Sequence, residues 1–352
     1  MNINSYIIDT NTNPYDNIND FIIGSGDRDP LKVGFHTTIN GSILEPPHIG
    51  LRGKKTKNKS AIKEILTETT ADCQCADNKS EICVPFNIQK LYKVFANKES
   101  SNISEAIKDV KEITGCENEA CILKNASFSK LLSSKGHNSH ILLNTYFKTF
   151  GPRNNTDLLS NVNIDRTLEL WSREFTDFYP CKFSMIDFYD VPNNFTHINM
   201  ADLVSGKETY IDSITNETRK NFKTFTCVLN TDISSGNGIH WVCVFIDCRS
   251  NPYTIEYFNS CANSPHENVT TWMVTQKQFL TKYNKSINED KKVVMVNVVD
   301  TLHQKSNTEC GMYVLYYIRC RLEGIPYTTF IDYKIPDEVV TKFREHIFIL
   351  YD

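Results

Sequence analysis

The 352-residue chain has no excess of positive charge: 38 Lys and Arg stand against 42 Asp and Glu, a net charge of −4. Nucleic-acid binding driven by phosphate neutralisation therefore has no compositional support, and nucleic acid is not an expected partner. The single basic run, Arg52 to Lys59, is short. It reads as a solvated linker, with a nuclear-import or nucleic-acid patch as the other reading. Long apolar runs are also missing. None approaches the roughly 20 residues of a membrane span, and Trp241–Ile246 and Val293–Val299 have strand length instead, so no membrane partner is expected. Met1 to Ile8 lacks the charged start of a secretory signal. There is no close pair of cysteines at zinc-finger spacing. Cys73, Cys75, Cys83, Cys116 and Cys121 miss that pattern, so packing or free thiols are expected and no metal or cofactor. Internal repeats and sustained heptads are absent as well, which excludes solenoids and coiled coils.

What is present is ordinary for a soluble globular protein: 40% hydrophobic and 23% charged residues, in a length suited to one large domain or two ordinary ones. Twelve cysteines are spread along the chain. With no secretory signal, reduced thiols are expected, and these are free for catalysis. Residues 1–60 are rich in Asn, Asp, Gly and Pro and read as a loosely ordered arm. Residues 60–130 read as helical. Phe86, Ile88, Leu91, Val94 and Phe95 form one expected helix face, and Ala106, Ile107, Val110 and Ile113 another, with Asn102 and Glu105 opening the second helix. A further helix carries Ile164, Leu168, Trp171 and Phe175 on one face, with Asn163 or Asp165 as its cap. From residue 222 the period changes. Phe222–Asn230, Trp241–Asp247, Thr254–Phe258 and Val293–Val299 are expected strands, followed by a helix from Cys310 and a closing helix from Ile335 to Leu350 with Pro336 in its first turn. The domains expected are 1–150, a mainly helical arm domain, and 151–352, an α+β catalytic domain.

The chemistry concentrates at Gln304 to Ile318. A loop delivers Cys310 to the start of a buried helix, with Asn307 and Thr308 as candidate caps and Met312, Leu315, Tyr316 and Ile318 behind. A thiol there meets the positive end of the helix dipole, which favours thiolate. Such a nucleophile needs a base, and histidine's ordinary pKa of ~6.5 suits proton removal and return. His240 opens an apolar strand after a glycine-containing turn, a rigid and reachable position. Asn259 closes the next strand 19 residues on, where antiparallel pairing brings it near His240 to orient the imidazole. Gln304, six residues before Cys310, can aim an amide N–H at a tetrahedral oxyanion, with the Cys310 N–H as second donor. One such donor contributes on the order of 3 kcal/mol. Gly311 is expected to leave room for substrate backbone. Asp247 is rejected as the orienting group, because it lies roughly 20 Å from His240 along the same strand at ~3.3 Å per residue. His266 and His303 stay as rival bases, and Cys248 and Cys261 as neighbours that could oxidise with Cys310.

His240-Trp241, Tyr257-Phe258-Asn259-Ser260 and Gln304 with Cys310-Gly311 together resemble the ubiquitin-like-protein-specific, SUMO-type cysteine proteases. The family's usual aspartate is replaced by Asn259. That replacement, with the segment Gly151 to Asp165, is similar to the viral branch. The likeness spans residues 150–350. It implies a papain-like cysteine protease fold, with a central mixed sheet flanked by helices, threaded in the order His, Asn, Cys. It implies cleavage after Gly-Gly in viral structural polyproteins during virion maturation, with Trp241 covering a narrow tunnel that only glycine passes. It also implies residence in the host cytoplasm (the virus factory) and packaging in the virion. Removal of ubiquitin-like proteins from host conjugates is the alternative, and an inactive module that binds diglycine tails is another.

Overall fold

The computed structural model describes residues 36–37, 43–44, 82–98, 102–152, 157–191, 195–212 and 216–349. Within the expected arm, only a short antiparallel pair is described, β1 (His36–Thr37) and β2 (Ile43–Leu44). The Arg52–Lys59 run, Cys73 and Cys75 lie outside the described residues.

Five helices follow: α1 (Phe86–Phe95), α2 (Ile103–Thr114), α3 (Glu119–Lys124), α4 (Ala126–Ser134) and α5 (Ser139–Tyr146). They enclose a core of their own around Ile88, Tyr92, Val110, Ile122, Phe128 and Leu132. The inner stripe of α1 is Ile88, Leu91, Tyr92 and Phe95, a clean helical period; Phe86 and Val94, expected inside, are exposed because they fall off it. Ile113 is exposed too. Asn102 caps α2 by accepting the Glu105 N–H at 2.8 Å, as the sequence suggested. Cys116 and Cys121 are joined in a disulfide, so the reduced-thiol expectation fails there. The αL residue Gly115 ends α2, and the tight turn before α3 brings the two Cα atoms to 5.5 Å. Seven cysteines among the described residues are free thiols.

The chain then runs through β3 (Thr149–Phe150) into α6 (Asn161–Glu174). The cap of α6 is Ser160, one turn earlier than expected. Asn163 completes a capping box by accepting from the Ser160 N–H, and Asp165 instead accepts the Phe183 N–H. Next come β4 (Phe178–Pro180), β5 (Ser184–Met185), α7 (Met200–Ser205) and a small hairpin of β6 (Tyr210–Ile211) and β7 (Thr218–Arg219). The main strands are β8 (Thr224–Asn230), β9 (Trp241–Asp247), β10 (Tyr253–Phe258) and β11 (Val293–Val298). The sheet order is β11-β10-β9-β8-β4, with β5 also on β8. β8, β9 and β10 are antiparallel neighbours, whereas β10–β11, β4–β8 and β5–β8 are parallel, so the sheet is mixed.

Both faces of this sheet are covered, which explains why its strands read as continuous apolar runs. Trp241, Cys243 and Phe245 face one core, shared with α6, α9 (Cys310–Leu322), α10 (Thr328–Asp332) and α11 (Asp337–Ile347). Val242, Val244 and Ile246 face the other, shared with α7 and α8 (Glu267–Ser286). Pattern reading passed over the 20-residue α8. Its buried stripe is Val269, Trp272, Met273, Gln276, Leu280 and Asn284, and two polar members break the apolar period. Gln276 is buried because it accepts the Met200 N–H at 3.0 Å and donates to the Ile198 carbonyl at 3.1 Å, holding α7.

α9 is buried along all its length. Its arginines enter the core paired: Arg319 with Glu174 at 2.7 Å and Arg321 with Glu256 at 2.8 Å and Asp247 at 3.0 Å. Pro336 precedes α11 instead of lying in its first turn, and the helix gives way at Phe348 to β12 (Phe348–Ile349), which pairs in parallel with β3. The chain near the expected boundary at 150 is thus stitched to its far end.

Candidate active site

The β9–β10 ladder aligns Cys243 with Phe258, so the mouth of β9 and the end of β10 lie side by side. His240 stands just before β9 and Asn259 just after β10. His240 Nε2 meets Asn259 Oδ1 at 2.9 Å. The amide orientation of Asn259 is fixed from both sides. Its Oδ1 accepts the Cys261 N–H at 2.9 Å, and its Nδ2 donates to the Asn263 carbonyl at 3.2 Å and to the Tyr257 hydroxyl at 3.1 Å. A carbonyl cannot donate and a backbone N–H cannot accept, so the oxygen must face the imidazole. An oxygen acceptor there requires the proton on Nε2, leaving Nδ1 with its lone pair. Tyr257 was named in the motif without a role of its own, although strand alternation puts it on the side of Asn259.

Cys310 begins α9, is 3% exposed and carries a free thiol. The expected caps Asn307 and Thr308 do not serve. Glu309 stands at the N-cap and contributes no side-chain hydrogen bond to the helix. Its carboxylate turns instead into the core, to Arg344 Nη2 at 3.0 Å. The helix's first N–H groups are left for the thiol. Burial pushes the Cys310 thiol up, and the backbone amides of Trp241 and Gly311 pull the other way by favouring thiolate. The amides at the helix start favour thiolate as expected, and burial outweighs them, so the net direction is upward. Burial also lowers His240, against the pull of its bond to Asn259. Both shifts favour the neutral forms, a thiol at Cys310 and an imidazole at His240.

Gln304 is buried in the loop before α9. Its Nε2 donates to the Ser306 carbonyl at 2.7 Å, its Oε1 accepts from the Ser260 hydroxyl at 2.7 Å, and its own N–H donates to the Ser260 carbonyl at 3.0 Å. One hydrogen of the Nε2 amide is not used by the Ser306 bond. Ser260 thus ties the loop to the strand end that carries Asn259, a task not visible in its motif position. The Cys261 thiol also points to Gln304 Oε1, at 3.8 Å.

Trp241 donates from Nε1 to the Leu159 carbonyl at 3.1 Å and packs edge-on against Phe183 at 5.9 Å. Gly311 sits beneath it. A Cβ there would lie 3.1 Å from Leu159 Cβ and 3.2 Å from Trp241 Cδ1. The expected room for substrate backbone at that Cα is filled by the protein, and close packing explains the glycine.

The rivals fall elsewhere. Asp247 is held by Arg249 at 2.7 Å and by Arg321. His303 is buried among Phe258, Tyr313 and Phe330, accepts the Ile335 N–H at 3.1 Å, and is pushed down to about 4 by burial. His266 caps α8 through the Asn268 N–H at 3.2 Å. Cys248 and Cys243 are buried free thiols. Among the described residues no cluster of three or more His, Cys, Asp or Glu could hold a metal.

Residues 201–351 match the profile of the Ulp1 protease family, C-terminal catalytic domain. A cysteine protease of African swine fever virus is 39% identical over 289 residues, covering 82% of this chain and 98% of that protein. A SUMO-1 cysteine protease from another isolate of that virus is 38% identical over the same share. The crystal structure of an African swine fever virus protease superposes with a TM-score of 0.68 at 37% identity, covering 82% of this chain and 99% of that one. The buried thiol at a helix start, the paired strand ends and these likenesses lead to one conclusion: the chain belongs to the Ulp1 family of cysteine proteases.

Proposed function

We propose that this protease cleaves after Gly-Gly in viral structural polyproteins, using Cys310 as nucleophile, His240 as base and Asn259 as its orienting group. The observations that carry this reading are the His240–Asn259 bond at 2.9 Å, with the amide orientation fixed, and the free Cys310 thiol at an uncapped helix start, held by the backbone amide of Trp241, the residue after His240. Nδ1 of His240 takes the Cys310 proton as Sγ attacks the glycine carbonyl carbon. The tetrahedral oxyanion accepts from the remaining Gln304 Nε2–H and from the Cys310 N–H. The imidazolium then protonates the leaving amine. Water, deprotonated by His240, hydrolyses the thioester and restores the thiol. No cofactor enters any step.

The Gly-Gly preference rests on Trp241, pinned by Leu159 and Phe183 over the start of α9, as a flat ring past which a substrate chain without side chains would meet least obstruction. Polyproteins of the virion are the substrates this reading assigns, which requires the enzyme in the host cytoplasm and inside the particle. A second reading, removal of a ubiquitin-like modifier, draws on the name of a relative, a SUMO-1 cysteine protease. Purified protein incubated with a Gly-Gly-Xaa polyprotein fragment and with a SUMO conjugate separates the two. Cutting of the fragment is expected. Cutting of the conjugate alone would replace the first reading with the second. Absence of thiol-dependent cutting of either would leave a binding module. Immunodetection in purified particles tests the location: absence from virions removes the maturation role.

A further inference from the structure

The loop that carries Gln304 to Cys310 is held from one side by Ser260 and from the other by α11. The carboxylate of Asp337, first residue of α11, lies against it. Asp337 Oδ2 accepts the Ser306 N–H at 2.9 Å and the Lys305 N–H at 3.3 Å. Its Oδ1 accepts the Lys305 N–H at 3.1 Å and the Tyr313 hydroxyl at 2.7 Å. Tyr313 belongs to α9, one turn beyond Cys310, and its hydroxyl also lies 2.8 Å from the Ile335 carbonyl, so its single proton is shared between that oxygen and Asp337. One carboxylate thus gathers two loop amides and the nucleophile's helix. The Ser306 carbonyl, on the residue whose N–H Asp337 holds, is the acceptor that fixes the Gln304 amide. The path from Asp337 to Gln304 therefore runs through one residue.

We infer that Asp337 is a positioning residue for the oxyanion donor: it holds the Lys305–Ser306 backbone so that Gln304 keeps its Nε2–H directed at the developing negative charge. The inference rests on the reading of Gln304 as that donor. A carboxylate suits the task because charge-assisted bonds to backbone N–H are about twice as strong as neutral ones, and it accepts several at once. An alanine would free the loop, and an asparagine, with a single acceptor oxygen, would hold only part of it. Small displacements of an oxyanion donor cost rate without costing substrate affinity, because the charge forms only in the transition state.

The test uses the full chain and three probes: a Gly-Gly-aminocoumarin peptide, the matching Gly-Gly aldehyde, whose hemithioacetal mimics the tetrahedral state, and iodoacetamide, whose alkylation of Cys310 forms no oxyanion. Asp337→Ala is expected to lower kcat about tenfold and weaken the aldehyde by a like factor. KM and the alkylation rate should stay within about twofold, and Asp337→Asn should fall between. Gln304→Ala should lower kcat and aldehyde affinity further, and adding Asp337→Ala to it should cost little more, since the two act on one donor. If Asp337→Ala folds poorly, the Asp337→Asn variant and the cycle built on it decide. Unchanged aldehyde binding in Asp337→Asn, or equal losses with and without Gln304, would overturn the inference. An unaffected Gln304→Ala enzyme would instead overturn the oxyanion reading beneath it.

Discussion

Four of the five helices of the N-terminal module and the helix that opens at Cys310 begin in opposite ways. α2, α3, α4 and α5 each open on an asparagine, Asn102, Asn118, Asn125 and Asn138, whose side-chain oxygen takes up first-turn N–H groups. α9 opens on Glu309, which spends its carboxylate on Arg344 and Thr341 and leaves the helix end uncapped. A capped end is stable and chemically spent. An uncapped end keeps its donors for negative charge, first on sulfur and then on the oxyanion. Those four helices use their caps for stability, and on the proposed mechanism α9 forgoes a cap at one end for chemistry. The buried ion pairs Arg319–Glu174 and Arg321–Glu256 secure it from the other end.

The largest test of this contrast removes the base. His240→Ala should lower kcat/KM on a Gly-Gly peptide by about 10³-fold or more while leaving the thermal midpoint nearly unchanged. Retained activity would remove His240 from the mechanism. The pH profile of kcat/KM comes next. His240 must be neutral to accept a proton, and burial lowers its pKa below the ordinary 6.5. Cys310 must keep its proton until attack, and burial raises it above the ordinary 9.0. Activity should therefore hold between those values, fall about tenfold per pH unit on an acid limb lying below 6.5, and fall again on an alkaline limb above 9. An acid limb above 6.5 would contradict the neutral pair.

Gly311→Ala should destabilise by about 1–3 kcal/mol and depress turnover. Trp241 is pinned by its bond to Leu159 and by Phe183, so neither neighbour can yield to the new methyl. Denaturant unfolding and peptide kinetics on the same variant would show whether both change. The smallest effect belongs to the other side of the comparison. Asn125→Ala removes the acceptor for the Ser127 and Phe128 N–H groups and should cost about 1 kcal/mol. Its kcat/KM on a short peptide should match the wild type; a change would mean that the N-terminal module acts on the site.

Much of the proposed site was legible because its members sit where strands and helices change direction. His240, Asn259 and Cys310 lie at a strand start, a strand end and a helix start, and turn signals mark all three places. Gln304 was legible by its distance from Cys310. Asp337 was not, because nothing in a Pro-Asp helix start states which loop the carboxylate reaches. Ser260 looked like a turn residue and proved to be a tie between strand and loop. α8 was missed because Gln276 and Asn284 are polar and buried, and only the facing carbonyls and amides make that burial affordable.

By itself the sequence determined the strand core, the chain order of the proposed His, Asn and Cys, and the Asn102 cap of α2. Those depend on local period and on side chains acting within a few residues. Only the tertiary structure decided which way burial pushes Cys310 and His240, the close packing at Gly311 and which loop amides Asp337 accepts from. Desolvation, close approach and long-range hydrogen bonds depend on which distant residues arrive, and no local pattern encodes their arrival.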